Sequence, residues 1–392
     1  MRRTRHLVFI GLCIVFLVLS VEAQTNGGLV RRTPESIEQT RRLERQVTLD
    51  IQVIDASGKP VTALAQQDMT LLDNGQPHTI TSFREIGGND EAAPTEAILL
   101  LDTINASFED VVIERQGIEA FLGQNGGHLA IPVSLVFLSD TGVKLNNPSR
   151  DGNSLANDLN KLPTPVRVIG SAQGAEGAQD RSQRSLKALQ MLTAYEATRA
   201  GRKLLIWVGP GWPLLSRSTA EVGARSQRRY FTSIVDITTA LRRAHITLYS
   251  VAPLNLAQGG GQNSFLYQAY LKGVESSAEA DSTNLALQVL AVHSGGLVLS
   301  KSGDLAGQIA LCMADGREYY EITFDAAEAD QIQYRALQLK LNRSGVEART
   351  SSQYNTMREF RNRPVGRLHQ LPQISQQSEP SPRIRLYRQR RA

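Results

Sequence analysis

Ala97-Ile98-Leu99-Leu100-Leu101-Asp102-Thr103-Ile104-Asn105-Ala106-Ser107 is the stretch on which the fold turns. An apolar run of strand length ends abruptly on Asp102, then opens into a polar turn and a helix-like segment from near Phe108. A strand apolar on both faces suits the centre of a parallel sheet with helices on each side. Ligands of such sheets collect at the carboxyl ends of the strands, so Asp102 stands where a functional acid would stand.

The alternation continues outward from this strand. Asp110–Leu122 has near-helical apolar spacing, and Leu129–Leu138 is a second strand that turns at Asp140-Thr141-Gly142 into Val143–Leu145. Helices are expected at Ser154–Leu162, Ser185–Ala200, Phe231–Ala244, Ser282–His293 and Leu305–Met313, and strands at Lys203–Val208, Ile246–Val251 and Leu297–Leu299. Pro163–Asp180 reads as a loop, and Asn255–Asp281, with Gly259-Gly260-Gly261, as a long excursion. This βα alternation with short connections implies a doubly wound, mainly parallel sheet with right-handed crossovers, spanning 93–315.

Either side, the pattern is β. Val47, Leu49, Ile51 and Val53 alternate with Thr48, Asp50 and Gln52. Asp55–Pro60 is turn chemistry, Asp73-Asn74-Gly75 a hairpin signal, and His78–Phe83 another strand. Gly87-Gly88-Asn89-Asp90 begins a linker. After Asp315-Gly316 come Glu318–Phe324, Tyr334–Leu341 and a weaker strand at Val346–Tyr354. Three strands bury little alone, so 44–92 and 316–355 are expected to pair into one antiparallel β-sandwich, with the α/β layer inserted in it.

The ends carry the charge. Arg2, Arg3 and Arg5, an apolar Leu7–Val21 and the Val21-Glu22-Ala23 ending read as a signal peptide over 1–23, which makes the mature chain secreted or periplasmic. A polar lead-in follows over 24–43, and a Pro- and Gln-rich tail over 356–392 reads as disordered. The tail has nine Arg against two Glu, so the overall +5 belongs to the ends and the body between them is mildly acidic. Cleavage would leave Cys312 as the one cysteine, which excludes an intrachain disulfide and leaves stability to core packing.

The segment ending in Pro60-Val61, then Asp68-Met69-Thr70-Leu71, Asp73-Asn74-Gly75, Leu99-Leu100-Leu101-Asp102-Thr103, Ser294-Gly295-Gly296 and Glu318-Tyr319-Tyr320 occur in an order that resembles the VWFA-related proteins of acidobacteria. The resemblance extends to about Tyr354 and implies a secreted von Willebrand factor type A-like domain bracketed by β segments; it does not imply a catalytic activity. It also implies a cation loop of the form Asp-x-Ser-x-Ser, a Thr on a second loop and an Asp after the fourth strand. Asp102 fills the first place, Ile104 and Ala106 empty the next two, Ser149 stands for the Thr, and the last Asp falls at or near Pro210. One carboxylate and one hydroxyl are too few for tight Mg²⁺ or Mn²⁺ binding, even with Asn105 or Asp151 in reserve. No metal or other cofactor is therefore expected, and Asp102 is expected to cap the following helix or bond loop amides.

Catalytic patterns are poor. The six histidines stand singly, no G-x-S-x-G elbow occurs, and no Lys-Ser/Thr follows Gly209-Pro210-Gly211-Trp212-Pro213. The sequence thus points to a non-enzymatic module that binds an envelope or secreted protein through the loop face around Asp102 and Gly259–Gly261. Asn105 and Trp212 are the contact candidates on that face. Two other readings stay open. One is Mg²⁺- or Mn²⁺-dependent adhesion through Asp102 and Ser149. The other is envelope-polymer or anionic-lipid binding through Arg383, Arg385, Arg388, Arg390 and Arg391. Export argues against nucleic acid.

Overall fold

The apolar run 97–101 lies in the middle of a seven-stranded sheet in the computed structural model of the chain. The structure describes residues 45–87, 94–162, 174–212, 223–252, 274, 276–300, 303–327 and 334–355. The expected signal peptide, lead-in, Gly259–Gly261 excursion and basic tail lie outside the described residues, as does the linker beyond Gly87.

Four strands come first: β1 (Gln46–Asp55), β2 (Met69–Asp73), β3 (Gln76–His78) and β4 (Ser82–Gly87). The α/β part follows as β5 (Thr95–Asp102), α1 (Phe108–Leu122), β6 (His128–Ser139), β7 (Gly142–Leu145), β8 (Ser149–Asp151), α2 (Gly152–Lys161), α3 (Gly174–Glu196) and β9 (Arg202–Val208). It continues through α4 (Ala224–Arg243), β10 (Ile246–Ala252), α5 (Leu287–His293), β11 (Val298–Ser300) and α6 (Leu305–Ala314). The chain then returns to β structure with β12 (Glu318–Asp325), β13 (Tyr334–Leu341), β14 (Val346–Arg349) and β15 (Gln353–Asn355).

The large sheet runs β11-β10-β9-β5-β6-β7, with β8 also on β6. Strands β11, β10, β9, β5 and β6 are parallel, and β7 and β8 are antiparallel to β6. Alternate residues of β5 serve opposite faces. Ile98 and Leu100 pack with α3, α4 and α5 through Leu189, Ile237 and Leu290. Leu99 and Leu101 pack with α1, α2 and α6 through Ile118, Leu155 and Ile309. Both faces are covered, which is why the run shows no alternation. Sequence order reverses beside β5, with β6 on one side and β9 on the other, so the carboxyl ends of β5 and β9 form the topological switch point.

The β part is two antiparallel sheets, β14-β1-β12-β4 and β15-β13-β2-β3. The inward residues of β1 (Val47, Leu49, Ile51, Val53) meet Tyr320, Ile322, Phe324 and Leu71 in one core. Asn74 and Gly75 take φ of 47° and 78°, the left-handed pair that a two-residue hairpin between β2 and β3 demands.

Two expected single strands divide between sheets. His78–Phe83 becomes the end of β3 and the start of β4, and Val346–Tyr354 becomes β14 and β15. In the second case the chain crosses at Thr350–Ser352, where Thr350 Oγ1 donates to the Asp50 carbonyl (2.7 Å) and the Ser352 carbonyl accepts from Leu337 N–H (2.8 Å). Of the expected loop at 163–180, residues 174–180 are helix instead, since α3 runs from Gly174, and residues 163–173 lie outside the described residues. Ala175, Glu176, Ala178 and Gln179 favour helix strongly enough to extend it. Helix α4 likewise begins at Ala224, and Ser282–Leu285 is a 3₁₀ turn ahead of α5.

The polar alternate face of β1 is turned toward the amino ends of the parallel strands. Gln52 Oε1 accepts from Arg202 at 3.3 Å, Asp50 meets His245 at 3.1 Å, and the Thr48 carbonyl accepts from Arg242 at 3.4 Å. From β12, the Tyr319 ring lies under the Arg202 guanidinium, 4.5 Å from ring centre to charge. Acids and amides of the sandwich thus face cations of the α/β layer, at the end of the sheet opposite Asp102.

Candidate functional site

Asp102 is the last residue of β5, and its side chain is wholly buried. Its carboxylate accepts four N–H bonds: Ile104 N–H and Asn105 N–H on Oδ1 (both 3.1 Å), the Asn105 side-chain amide on Oδ2 (2.8 Å) and the Trp207 indole on Oδ2 (2.9 Å). Burial pushes this carboxyl above its ordinary range, against the opposing pull of the bonds from Asn105, Trp207 and Ile104. The expected amide-bonding role is the one the geometry has. The helix cap itself belongs to Ser107, whose Oγ accepts from Asp110 N–H while its own N–H donates to the Asp110 carboxylate, both at 3.2 Å.

The neighbouring strand supplies the rest. Trp207, paired with Leu100 in register, sends its indole across to Asp102 and stacks edge-on with Trp212 at 5.5 Å. At Gly209, φ is +138°, and a Cβ would stand 2.8 Å from the Asp102 Cβ, so the approach of these two strand ends requires glycine. The Pro210 carbonyl accepts from Gln288 (3.2 Å), and Gly211, at φ +69°, turns the chain inward.

Two candidate residues, Trp212 and Ser149, are placed otherwise than the sequence suggested, and a third, Asn105, is half-buried in the turn. Trp212 is 1% exposed and donates its indole N–H to the Leu285 carbonyl (2.7 Å), so it is a core residue and not a contact residue. Asn105 is a clamp, with its amide shared between Asp102 and Ser185 Oγ (2.9 Å). Ser149 lies in β8 opposite Val133, while Asp102 lies opposite Leu138. Five residues of β6 separate those levels, roughly 17 Å at strand rise, so Ser149 is remote from Asp102. Its hydroxyl accepts from Asp151 N–H (3.0 Å), and Asp151 in turn caps α2.

Two features of this end escaped sequence reading. Glu114, on α1, is completely buried, and neither carboxylate oxygen has a hydrogen-bond partner. Burial, reinforced by the charges of Asp102 and Asp110, raises it to about 9. It shares the apolar stripe of Val111, Ile118 and Phe121, and an acid on such a stripe is a signal visible in the sequence. The other feature is Phe108, the first residue of α1, which is 57% exposed directly after the clamped turn.

The von Willebrand A resemblance implies a divalent cation at this turn, and the residues present do not fit one. The Asp102 oxygens are taken up by N–H donors, Ile104 and Ala106 bring no oxygen, Pro210 stands at the last ligand place, and Ser149 is distant. An uncharged indole and amide occupy the carboxylate oxygens that a cation would need.

No protein-family model and no curated protein matches the chain. Among solved structures it is similar to an aerotolerance-related membrane protein from Bacteroides fragilis, at 11% identity over 56% of this chain and 98% of that one (TM-score 0.30). It is similar also to the ArnB paralog VWA2 from Sulfolobus acidocaldarius, at 9% identity over 78% and 75% (TM-score 0.29). A third is the pilus adhesin SpaC from Lactobacillus rhamnosus GG, at 10% identity over 77% and 48% (TM-score 0.32). The fold rests on the strand order and the helix layers: a doubly wound, mainly parallel α/β sheet joined to two separate antiparallel sheets.

Proposed function

We propose that this chain is an exported, non-catalytic interaction module that binds a protein partner through the loop face at the carboxyl ends of β5 and β9, without a metal ion. The observation that carries the reading is the pairing of a clamped turn with an exposed aromatic. Asp102 holds the 104–105 backbone from inside while Phe108 stands in solvent on the first turn of α1. A turn fixed in advance loses little freedom on binding, and loops on a rigid sheet are the usual place for recognition. Asp102 and Glu114, the buried acids of this end, are enclosed, so neither is offered to a substrate. Among the described residues no helix is long and apolar enough to cross a membrane.

Two measurements test this. Melting of the full chain in EDTA, Mg²⁺, Mn²⁺ and Ca²⁺ is expected to give one curve. A site filled a hundredfold over its dissociation constant would add about 2.7 kcal/mol, and a rise abolished by Asp102→Ala would make the chain a cation-dependent adhesion protein instead. A photo-reactive residue at 108 should cross-link a discrete protein from the exported fraction, while one at Met191, also exposed, should not. Adducts at 191 alone would remove the loop face as the binding surface.

A further inference from the structure

Asp50 and Glu321 lie directly opposite each other on β1 and β12. Their side chains share the face of the sheet turned toward the α/β layer, and like charges so opposed are unfavourable unless something positive lies between them. His245, at the corner between α4 and β10, fills that place: its Nδ1 is 3.1 Å from both Asp50 oxygens. The corner holds the imidazole there with φ of +53°, an uncommon conformation for histidine.

We propose that Asp50, His245 and Glu321 form a zinc-class site that joins the sandwich to the α/β layer. One imidazole with two carboxylates is a donor set zinc accepts, with water completing the tetrahedron. The ligand atoms lie within 4.8 Å of one another. Donors about 2.0 Å from a tetrahedral ion stand roughly 3.3 Å apart, so the Asp50–His245 edge already has the right length. The two edges to Glu321 are no longer than 4.8 Å, so this carboxylate has to move closer for the set to close on an ion. The group is open to solvent, since the side chains of His245 and Glu321 are 32% and 22% exposed. Mg²⁺ is disfavoured, because it demands an octahedron of oxygens.

The charged neighbours set the terms of binding. Arg84 pairs with Glu321 at 3.1 Å, and Lys203 and Arg202 lie close enough to act on Asp50. Zinc therefore competes with Arg84 for Glu321 and with a proton for His245. Each ion bound by the protonated site releases that proton, so affinity rises with pH through the histidine titration.

The test is Zn²⁺ titration of the full, tag-free chain at pH 6 and pH 8, read by melting temperature and by the visible absorption of a Co²⁺ substitute. Wild type should gain melting temperature, more at pH 8, and should show the intense band of tetrahedral Co²⁺. His245→Asn keeps a residue that tolerates positive φ, and should lose both signals. Glu321→Gln leaves the Asp50–His245 contact in place and should weaken binding about tenfold or more. No band and no shift in wild type, or signals that persist in His245→Asn, would overturn the site. Neither result bears on the loop face around Asp102.

Discussion

Replacing Glu114 with Gln should change how stability depends on pH far more than it changes the fold. In the folded chain the Glu114 carboxyl is raised from 4.5 to about 9, because it is buried without a hydrogen-bond donor and near the charge of Asp102. Between those values the folded state keeps the proton that the unfolded chain has lost, so rising pH favours unfolding. The contribution is complete below 4.5 and is lost as pH climbs through about 9. Each pH unit inside that window costs about 1.4 kcal/mol, or about 4 kcal/mol between pH 5 and pH 8. Glutamine has nearly the same shape and does not titrate. Denaturant unfolding of both proteins at several pH values gives the difference directly, since every other titrating group is common to the two. The wild-type curve should fall relative to Glu114→Gln by that amount across the window. A constant offset at all pH values would refute the reasoning, because it would mean that Glu114 ionises in the fold with a partner.

Two further substitutions probe the clamp. Trp207→Phe keeps most of the ring but removes the 2.9 Å indole bond to a buried carboxylate, and should cost about 1.5–3 kcal/mol in denaturant unfolding. An unchanged midpoint would mean that the other three donors suffice. Gly209→Ala forces a Cβ to within 2.8 Å of Asp102 on backbone at φ +138°, and should lower the melting temperature by the equivalent of at least ~1–3 kcal/mol. Wild-type melting in this variant would show that the strand ends can part without loss.

The α/β layer was legible because its signal is coarse. Six residues of β5 from Ala97 to Asp102 are buried, and an apolar run bounded by an acid states that without reference to any partner. The alternation of β1 was equally plain, yet it says only that Thr48, Asp50 and Gln52 share a face, not that Arg202, Arg242 and His245 cover it. Trp212 shows the limit at the site. A tryptophan between Gly211 and Pro213 reads as a loop contact, and its inward turn depends on a positive φ and on the Leu285 carbonyl, both set by the tertiary structure. Ser149 was misplaced for a related reason, since the short strand that carries it is recognisable only through its pairing with β6. That Ile104 and Ala106 bring no side-chain oxygen could be read directly. That an indole from the next strand serves Asp102 in their stead required the register of β5 with β9.

The pairing of β1 with β12 also has a meaning in time. Val47 meets Phe324, and Leu49 meets Ile322, so the sandwich joins residues from opposite ends of the described chain. At about 5–20 residues per second, β12 leaves the ribosome roughly tens of seconds after β1. Through that interval the four apolar residues on the inner face of β1 have no sheet to join. The first of the described strands is thus among the last to be buried, and a newly made or stalled chain exposes a sticky strand that the finished protein conceals.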